Sequence, residues 1–127
     1  MKLALIIGSL LSGLSVVFGA FGAHALNKIL PPHLLNTYST GVTYQYYHSF
    51  ALLIVGLLIP IIKNNLKVPT ISFLIGILLF SGGCYFYALS EIKFFAMVVP
   101  FGGVSFIIGW VALALSLIKY RERLPNF

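Results

Sequence analysis

Four long apolar runs, separated by short polar or proline-containing breaks, constrain this chain more than any other feature of its sequence. A membrane-spanning helix needs about 20 mainly apolar residues, and residues 3–26, 41–62, 68–89 and 96–118 each provide that length. Only 8% of the residues are charged, which is too few to cover a water-soluble surface, since soluble domains average about 25%. The chain is therefore predicted to be an integral membrane protein with four spanning helices.

The breaks between the runs are short enough to determine which helices lie next to each other. They lie at residues 31–32, 63–67 and 90–93, and short connections make consecutive helices antiparallel neighbours. Residues 1–127 are thus predicted to form one all-α membrane domain, a four-helix bundle with up-down topology. The second helix is expected to begin near His33, ahead of its apolar part, because no proline interrupts residues 33–59.

Lysine and arginine are divided unequally between the two ends of such a bundle. Four spans place both termini on one side, which then carries Lys2, Lys63, Lys67, Lys119, Arg121 and Arg123. The opposite side carries only Lys28 and Lys93. Because cytoplasmic loops are enriched in Lys and Arg, both termini are predicted to be cytoplasmic, in a multi-pass protein of the cell membrane. The first run exceeds the apolar region of a signal peptide, so it is predicted to remain as a helix.

Several function classes lack the residues that they need. The cations form no basic face with interleaved aromatics, so nucleic acid is not a predicted partner. The chain has no aspartate, and Glu91 and Glu122 fall on opposite sides, so paired carboxylates cannot flank a substrate. Cys84 alone provides neither a disulfide nor a zinc site, and Gly102-Gly103 lacks the lysine of a phosphate-binding loop. The sequence favours a non-enzymatic protein and predicts no metal and no cofactor.

Polar side chains within the runs concentrate toward the end opposite the termini. Tyr44 and His48 are one helical turn apart, and an ionisable residue inside a membrane helix is a candidate functional residue facing the bundle interior. The alternative is structural, with neutral His48 hydrogen-bonded to a tyrosine or a carbonyl. Trp110 needs a partner for its indole N–H if it lies too deep for the interfacial belt. The predicted ligand-binding cluster comprises His24, Tyr44, His48, Ser81, Tyr85 and Glu91.

Small residues recur at helical spacing, which allows helix backbones to approach closely in lipid. In the first helix, Ser15, Gly19 and Ala23 form one ridge, and Ser9 and Gly13 form another. The residues predicted to lie at helix contacts are Gly13, Gly19, Gly22, Ala23, Gly82, Gly102, Gly103 and Gly109.

Short motifs in all four runs carry a family resemblance. They are Gly19-Ala-Phe-Gly-Ala-His-Ala-Leu26, Thr40-Gly41 with Tyr44 and His48, Phe80-Ser81-Gly82 with Tyr85, Pro100, Gly102-Gly103 and Gly109-Trp110. The chain resembles the YgdD/YwdK-type family of small bacterial inner-membrane proteins of unknown function, which has eukaryotic relatives. The resemblance implies a four-span membrane protein and no established activity. This chain departs from the family's pattern at Gly83-Cys84 and at Val99, where the family usually has Ser and often has Thr, respectively.

Three functional interpretations follow. The first is a non-enzymatic membrane protein whose outer cluster fixes helix packing and binds a small molecule or lipid. The second is an oligomeric transporter or channel subunit, since the polar groups thin out toward the terminal side and one bundle alone offers no continuous pathway. The third is a haem- or quinone-binding redox protein that uses His24 and His48. The lipid bilayer is a partner in all three, a homo-oligomer in the second, and an unidentified small molecule in the first.

Overall fold

The computed structural model describes residues 1–123 as four long helices joined by short connections. Each helix is long and apolar enough to cross a membrane, which confirms the predicted all-α membrane architecture. Residues 124–127, the end of the predicted single domain, lie outside the described residues. The first to fourth helices span Lys2–His24, Pro32–Ile62, Lys67–Ser90 and Lys93–Arg121.

Local sequence explains where the helices begin and end. Pro32 is the first residue of the second helix, a position where the missing backbone N–H costs no intrahelical hydrogen bond. The helix therefore starts close to the expected position at His33. Lys63 and Glu91 follow the second and third helices with positive φ angles of 52° and 56°, and this left-handed conformation ends a helix.

Consecutive helices pack antiparallel, and the first and fourth helices lie at the two flanks. The first helix packs on the second, and the fourth packs mainly on the third. The share of buried residues in the most apolar stretch is 44% in the second helix and 39% in the third. The corresponding shares are 17% in the first helix and 22% in the fourth. The second and third helices thus form the centre of the molecule.

The two ends of the molecule differ in their interiors. The end with residues 1–2, 63–66 and 119–123, here the terminal end, adjoins a core whose buried members are all apolar. The opposite end, here the loop end, has a smaller core formed by Leu26, Tyr38 and Ala88. The larger apolar core therefore lies toward the terminal end and the smaller one toward the loop end.

Several glycines lie where helices approach most closely. A Cβ atom on Gly22 would lie 2.7 Å from the Tyr38 ring, and one on Gly109 would lie 2.7 Å from the Phe73 ring. A Cβ on Gly102 would collide with the backbone of Phe80. At these positions a larger residue would require the facing ring or backbone to shift. Gly19 and Gly103 would make only ordinary van der Waals contact with Val42 and Phe80.

Other small residues do not pack helices within this chain as the sequence predicted. A Cβ on Gly13 or Gly82 would have no neighbouring atom within 4 Å, and Ala23 is exposed. Because the first helix carries two overlapping ridges of small residues, spacing alone does not identify the ridge that faces the second helix. The buried residues of the first helix are Ala4, Gly8, Ser15 and Gly22.

Candidate functional site

The middle of the second helix carries the most deeply placed ionisable side chain of the site. The helix has 31 residues, or about 46 Å at roughly 1.5 Å per residue, which exceeds the hydrocarbon thickness of about 30 Å. The midpoint of Pro32–Ile62 is residue 47, so His48 lies next to it. His48 is only 4% exposed and therefore needs polar partners inside the protein.

Both ring nitrogens of His48 have such partners. Trp110 donates its indole N–H to His48 Nε2 over 3.1 Å, and His48 Nδ1 lies 2.7 Å from the carbonyl oxygen of Tyr44. Since an indole N–H only donates and a carbonyl oxygen only accepts, His48 is the neutral tautomer with its proton on Nδ1. The imidazole also stacks on Phe106, with ring centroids 3.4 Å apart. The deep Trp110 thus has the partner that its indole was expected to need.

A groove of about 770 Å³ lies between the second and fourth helices beside this hydrogen bond. Its innermost lining includes the buried His48 and Phe106, whereas Tyr47 and Ile107 at its edge are 61% and 64% exposed. Small-molecule pockets typically have about 300–1,000 Å³ and a mainly apolar lining, and this groove satisfies both criteria. The remaining lining residues are Tyr44, Tyr46, Phe50, Phe80, Gly103 and Trp110.

A π-helical turn of the third helix adjoins the groove. The turn covers Ile77–Ser81, and π turns are frequent at functional sites. Phe80 from this turn contributes its ring to the groove and lies 4.5 Å, centroid to centroid, from the ring of Tyr44. The hydroxyl of Ser81 is buried and has no hydrogen-bond partner in the described structure.

A second polar network lies on the face of the second helix that packs against the first. Gln45 Nε2 donates to the Leu11 carbonyl over 3.0 Å, and Gln45 Oε1 accepts a 2.7 Å hydrogen bond from the Tyr85 hydroxyl. The Tyr38 hydroxyl donates to the Phe18 carbonyl over 2.7 Å. These hydrogen bonds connect three helices through side chains that point away from the groove. We call this network the seam.

The predicted cluster is therefore only partly brought together. Tyr44 and His48 line the groove, whereas Tyr85 belongs to the seam. His24 and Glu91 are exposed at the loop end, and they are therefore distant from the middle of the second helix. The arrangement offers no pair of free imidazoles for a haem iron, because the Nε2 lone pair of His48 already accepts a hydrogen bond from Trp110.

Sequence reasoning did not select three residues that matter for this geometry. Gln45 and Tyr38 hold the seam, and Phe106 forms the stacking surface under His48. Gln45 and Tyr38 are seven residues apart, which places them on one helix face, and that spacing was an available signal. Nothing in the sequence distinguishes Phe106 from the other ten phenylalanines of the chain.

Comparison with known proteins identifies relatives along almost the whole chain. A family model described as "Protein of unknown function (DUF423)" matches residues 18–103. A UPF0382 membrane protein of Staphylococcus aureus (strain bovine RF122 / ET3-1) is 39% identical over 120 residues, covering 94% of this chain and 98% of its own. The UPF0382 membrane protein YwdK of Bacillus subtilis (strain 168) is 37% identical over 122 residues, covering 94% and 99%. No solved structure matches the chain.

Proposed function

The chain belongs to the UPF0382 (DUF423) family of membrane proteins, and from that premise we propose that it binds a small membrane-dissolved molecule between its second and fourth helices. The observation that carries this proposal is the groove of about 770 Å³ beside the His48–Trp110 hydrogen bond. Because the fourth helix packs mainly on the third, the gap between the fourth and second helices is left open as a groove.

The lining of the groove favours an apolar or aromatic ligand with a small polar group. Rings of Phe80 and Phe106 offer apolar surfaces, on which aromatic groups pack offset or edge to face. Tyr44 and Tyr46 add phenol groups that can donate or accept a hydrogen bond. Because the edge residues Tyr47 and Ile107 lie on the membrane-facing surface, such a ligand enters sideways from the hydrocarbon region.

The same lining favours binding over catalysis. The groove contains no carboxylate, lysine or cysteine, and its one histidine, His48, has both ring nitrogens engaged in hydrogen bonds. A general acid or base needs a free proton-exchanging atom within reach of the substrate. We therefore assign a non-enzymatic role to this family member.

Native mass spectrometry of the full chain, extracted together with its membrane lipids, tests the binding proposal. We expect one reproducible additional mass on the wild-type protein. The Ile107→Trp substitution enlarges a residue at the edge of the groove and should remove that mass. Ile108→Trp is the matched control, because Ile108 is also exposed but does not line the groove. Equal retention by both variants, or no retained mass on the wild type, contradicts the proposal.

We also propose that the chain is a multi-pass protein of the cell membrane and that both of its termini lie in the cytoplasm. The terminal end carries six Lys and Arg residues and the loop end carries two, and cytoplasmic loops have the excess. An impermeant maleimide added to intact cells should label Lys28→Cys and not Lys119→Cys. Both positions are exposed, whereas the native Cys84 is buried and gives little background. The reverse labelling pattern would contradict this orientation.

A further inference from the structure

A second groove, of about 420 Å³, lies at the terminal end between the first and third helices. Both helices pack on the second helix but leave a gap between them. Leu52 and Ile59 of the second helix, Ala4 and Ile7 of the first helix and Leu74 of the third helix line the gap. This part of the groove is apolar and lies within the membrane-spanning segments, so hydrocarbon rather than water is its suitable occupant.

The outer end of this groove has a different chemistry. Asn64, Asn65 and Lys67 line it where the second helix connects to the third, and Thr70 follows one turn further in. Lys67 is exposed, and its backbone N–H donates to Asn65 Oδ1 over 3.0 Å. The groove therefore has a cationic, hydrogen-bonding rim above an apolar slot.

The charges at the terminal end favour an anionic occupant. Six cations and Glu122 belong to the terminal end, a balance of +5, whereas Lys28, Lys93 and Glu91 give the loop end a balance of +1. Lys2 lies between Met1 and Leu3, which both line the groove. Basic pockets between membrane helices bind the head groups of anionic lipids.

We propose that this groove binds one anionic phospholipid, with an acyl chain along Leu52, Ile59 and Leu74 and the phosphate beside Lys67. The amides of Asn64 and Asn65 can donate further hydrogen bonds to phosphate oxygens. This lipid site is separate from the groove between the second and fourth helices and does not depend on the function proposed for it. The lipid would fill the gap between the first and third helices at the terminal end.

The charge part of the proposal is tested with defined lipids. The full-length protein is delipidated, supplied with phosphatidylglycerol or phosphatidylcholine, and analysed by native mass spectrometry. We expect one tightly retained phosphatidylglycerol and weaker retention of phosphatidylcholine. The double variant Lys2→Gln/Lys67→Gln should retain phosphatidylglycerol about thirtyfold less well, since each cation near an anionic lipid contributes roughly a factor of five. Lys28→Gln/Lys93→Gln removes the same charge at the loop end and should have little effect.

The shape part is tested with a matched pair of tryptophan substitutions. Ile71→Trp enlarges a partly exposed residue of the groove, whereas Ile75→Trp changes a similarly exposed residue one turn away that does not line it. Only Ile71→Trp should abolish phosphatidylglycerol retention, and Ile107→Trp in the other groove should leave it unchanged. Equal retention of the two lipids by the wild type, equal losses in the two charge variants, or equal losses in Ile71→Trp and Ile75→Trp would overturn the proposal.

Discussion

The second helix makes two interfaces that differ in packing and in hydrogen bonding. Toward the first helix, the seam joins Gln45 and Tyr38 to backbone carbonyls, and Gly22 allows close contact. Toward the fourth helix, His48 bonds to the side chain of Trp110 and a groove of about 770 Å³ remains beside it. One helix thus provides both a closed structural contact and an open candidate binding site.

The comparison shows that a polar residue inside a membrane helix does not by itself indicate function. Gln45 and His48 are both buried and both hydrogen-bonded. The seam is closed because small residues of the first helix, such as Gly22, allow the second helix to approach closely. The groove stays open because the fourth helix packs mainly on the third and makes little contact with the second. The order in which the helices pack therefore decides which interface is available to a ligand.

Introducing a larger side chain at the close contact between the first and second helices should have the largest effect on stability. We expect Gly22→Leu to destabilise the protein by about 3 kcal/mol, because the new side chain must displace the Tyr38 ring from a tightly packed contact. Unfolding by heat or by denaturant in a mild detergent measures this loss. Gly13→Leu on the open face of the same helix is the control and should be nearly neutral. Similar losses in both variants would contradict the assignment of the packing face.

Removing the polar centre of the seam should have the next largest effect. Gln45→Leu breaks two hydrogen bonds and leaves the Tyr85 hydroxyl without an acceptor, so we expect a loss of about 1–2 kcal/mol. The same unfolding assay applies. Ligand retention in the groove should survive, because Gln45 does not line it. A loss of the bound mass without a loss of stability would reverse the roles given to the two interfaces.

A buried hydroxyl outside both interfaces should respond in the opposite direction. Ser81→Ala removes an oxygen that has no hydrogen-bond partner among the described residues, so we expect a gain in stability of up to about 1 kcal/mol. Ser49→Ala is the matched control, because the hydroxyl of Ser49 is equally buried and donates to the Gln45 carbonyl over 2.6 Å. A greater loss for Ser81→Ala than for Ser49→Ala would show that Ser81 has a partner of its own.

Changing the groove should affect stability least and ligand retention most. We expect His48→Phe to cost only about 0.5–1 kcal/mol, since its hydrogen bonds with Trp110 and with the Tyr44 carbonyl are lost, each of them worth little in the membrane, while stacking on Phe106 is kept. The additional mass in native mass spectrometry should nevertheless disappear. A variant that unfolds as readily as Gln45→Leu would indicate that the His48–Trp110 contact is structural.

Much of the architecture could be predicted from the sequence, because run length and charge define membrane spans. The need of Trp110 for a polar partner also followed from its depth. The packing faces could not be predicted, since in a membrane helix the lipid-facing and buried sides are both apolar. Gly13 and Gly22 therefore look alike in sequence, although only Gly22 lies at a contact. The separation of Tyr85 from His48 likewise depends on which way the third helix is rotated, and spacing does not report that rotation.

The most direct test of an open groove uses Trp110, the single tryptophan of the chain. Its fluorescence is measured in vesicles whose phospholipids carry bromine either midway along the acyl chains or near the head group. The open groove predicts stronger quenching by the deep bromine and a clear reduction of that quenching in Gly103→Leu, which fills the groove next to Phe80. Two results would contradict an open groove: quenching of Trp110 by iodide in the aqueous phase in place of the deep bromine, or quenching by the deep bromine that does not change in Gly103→Leu.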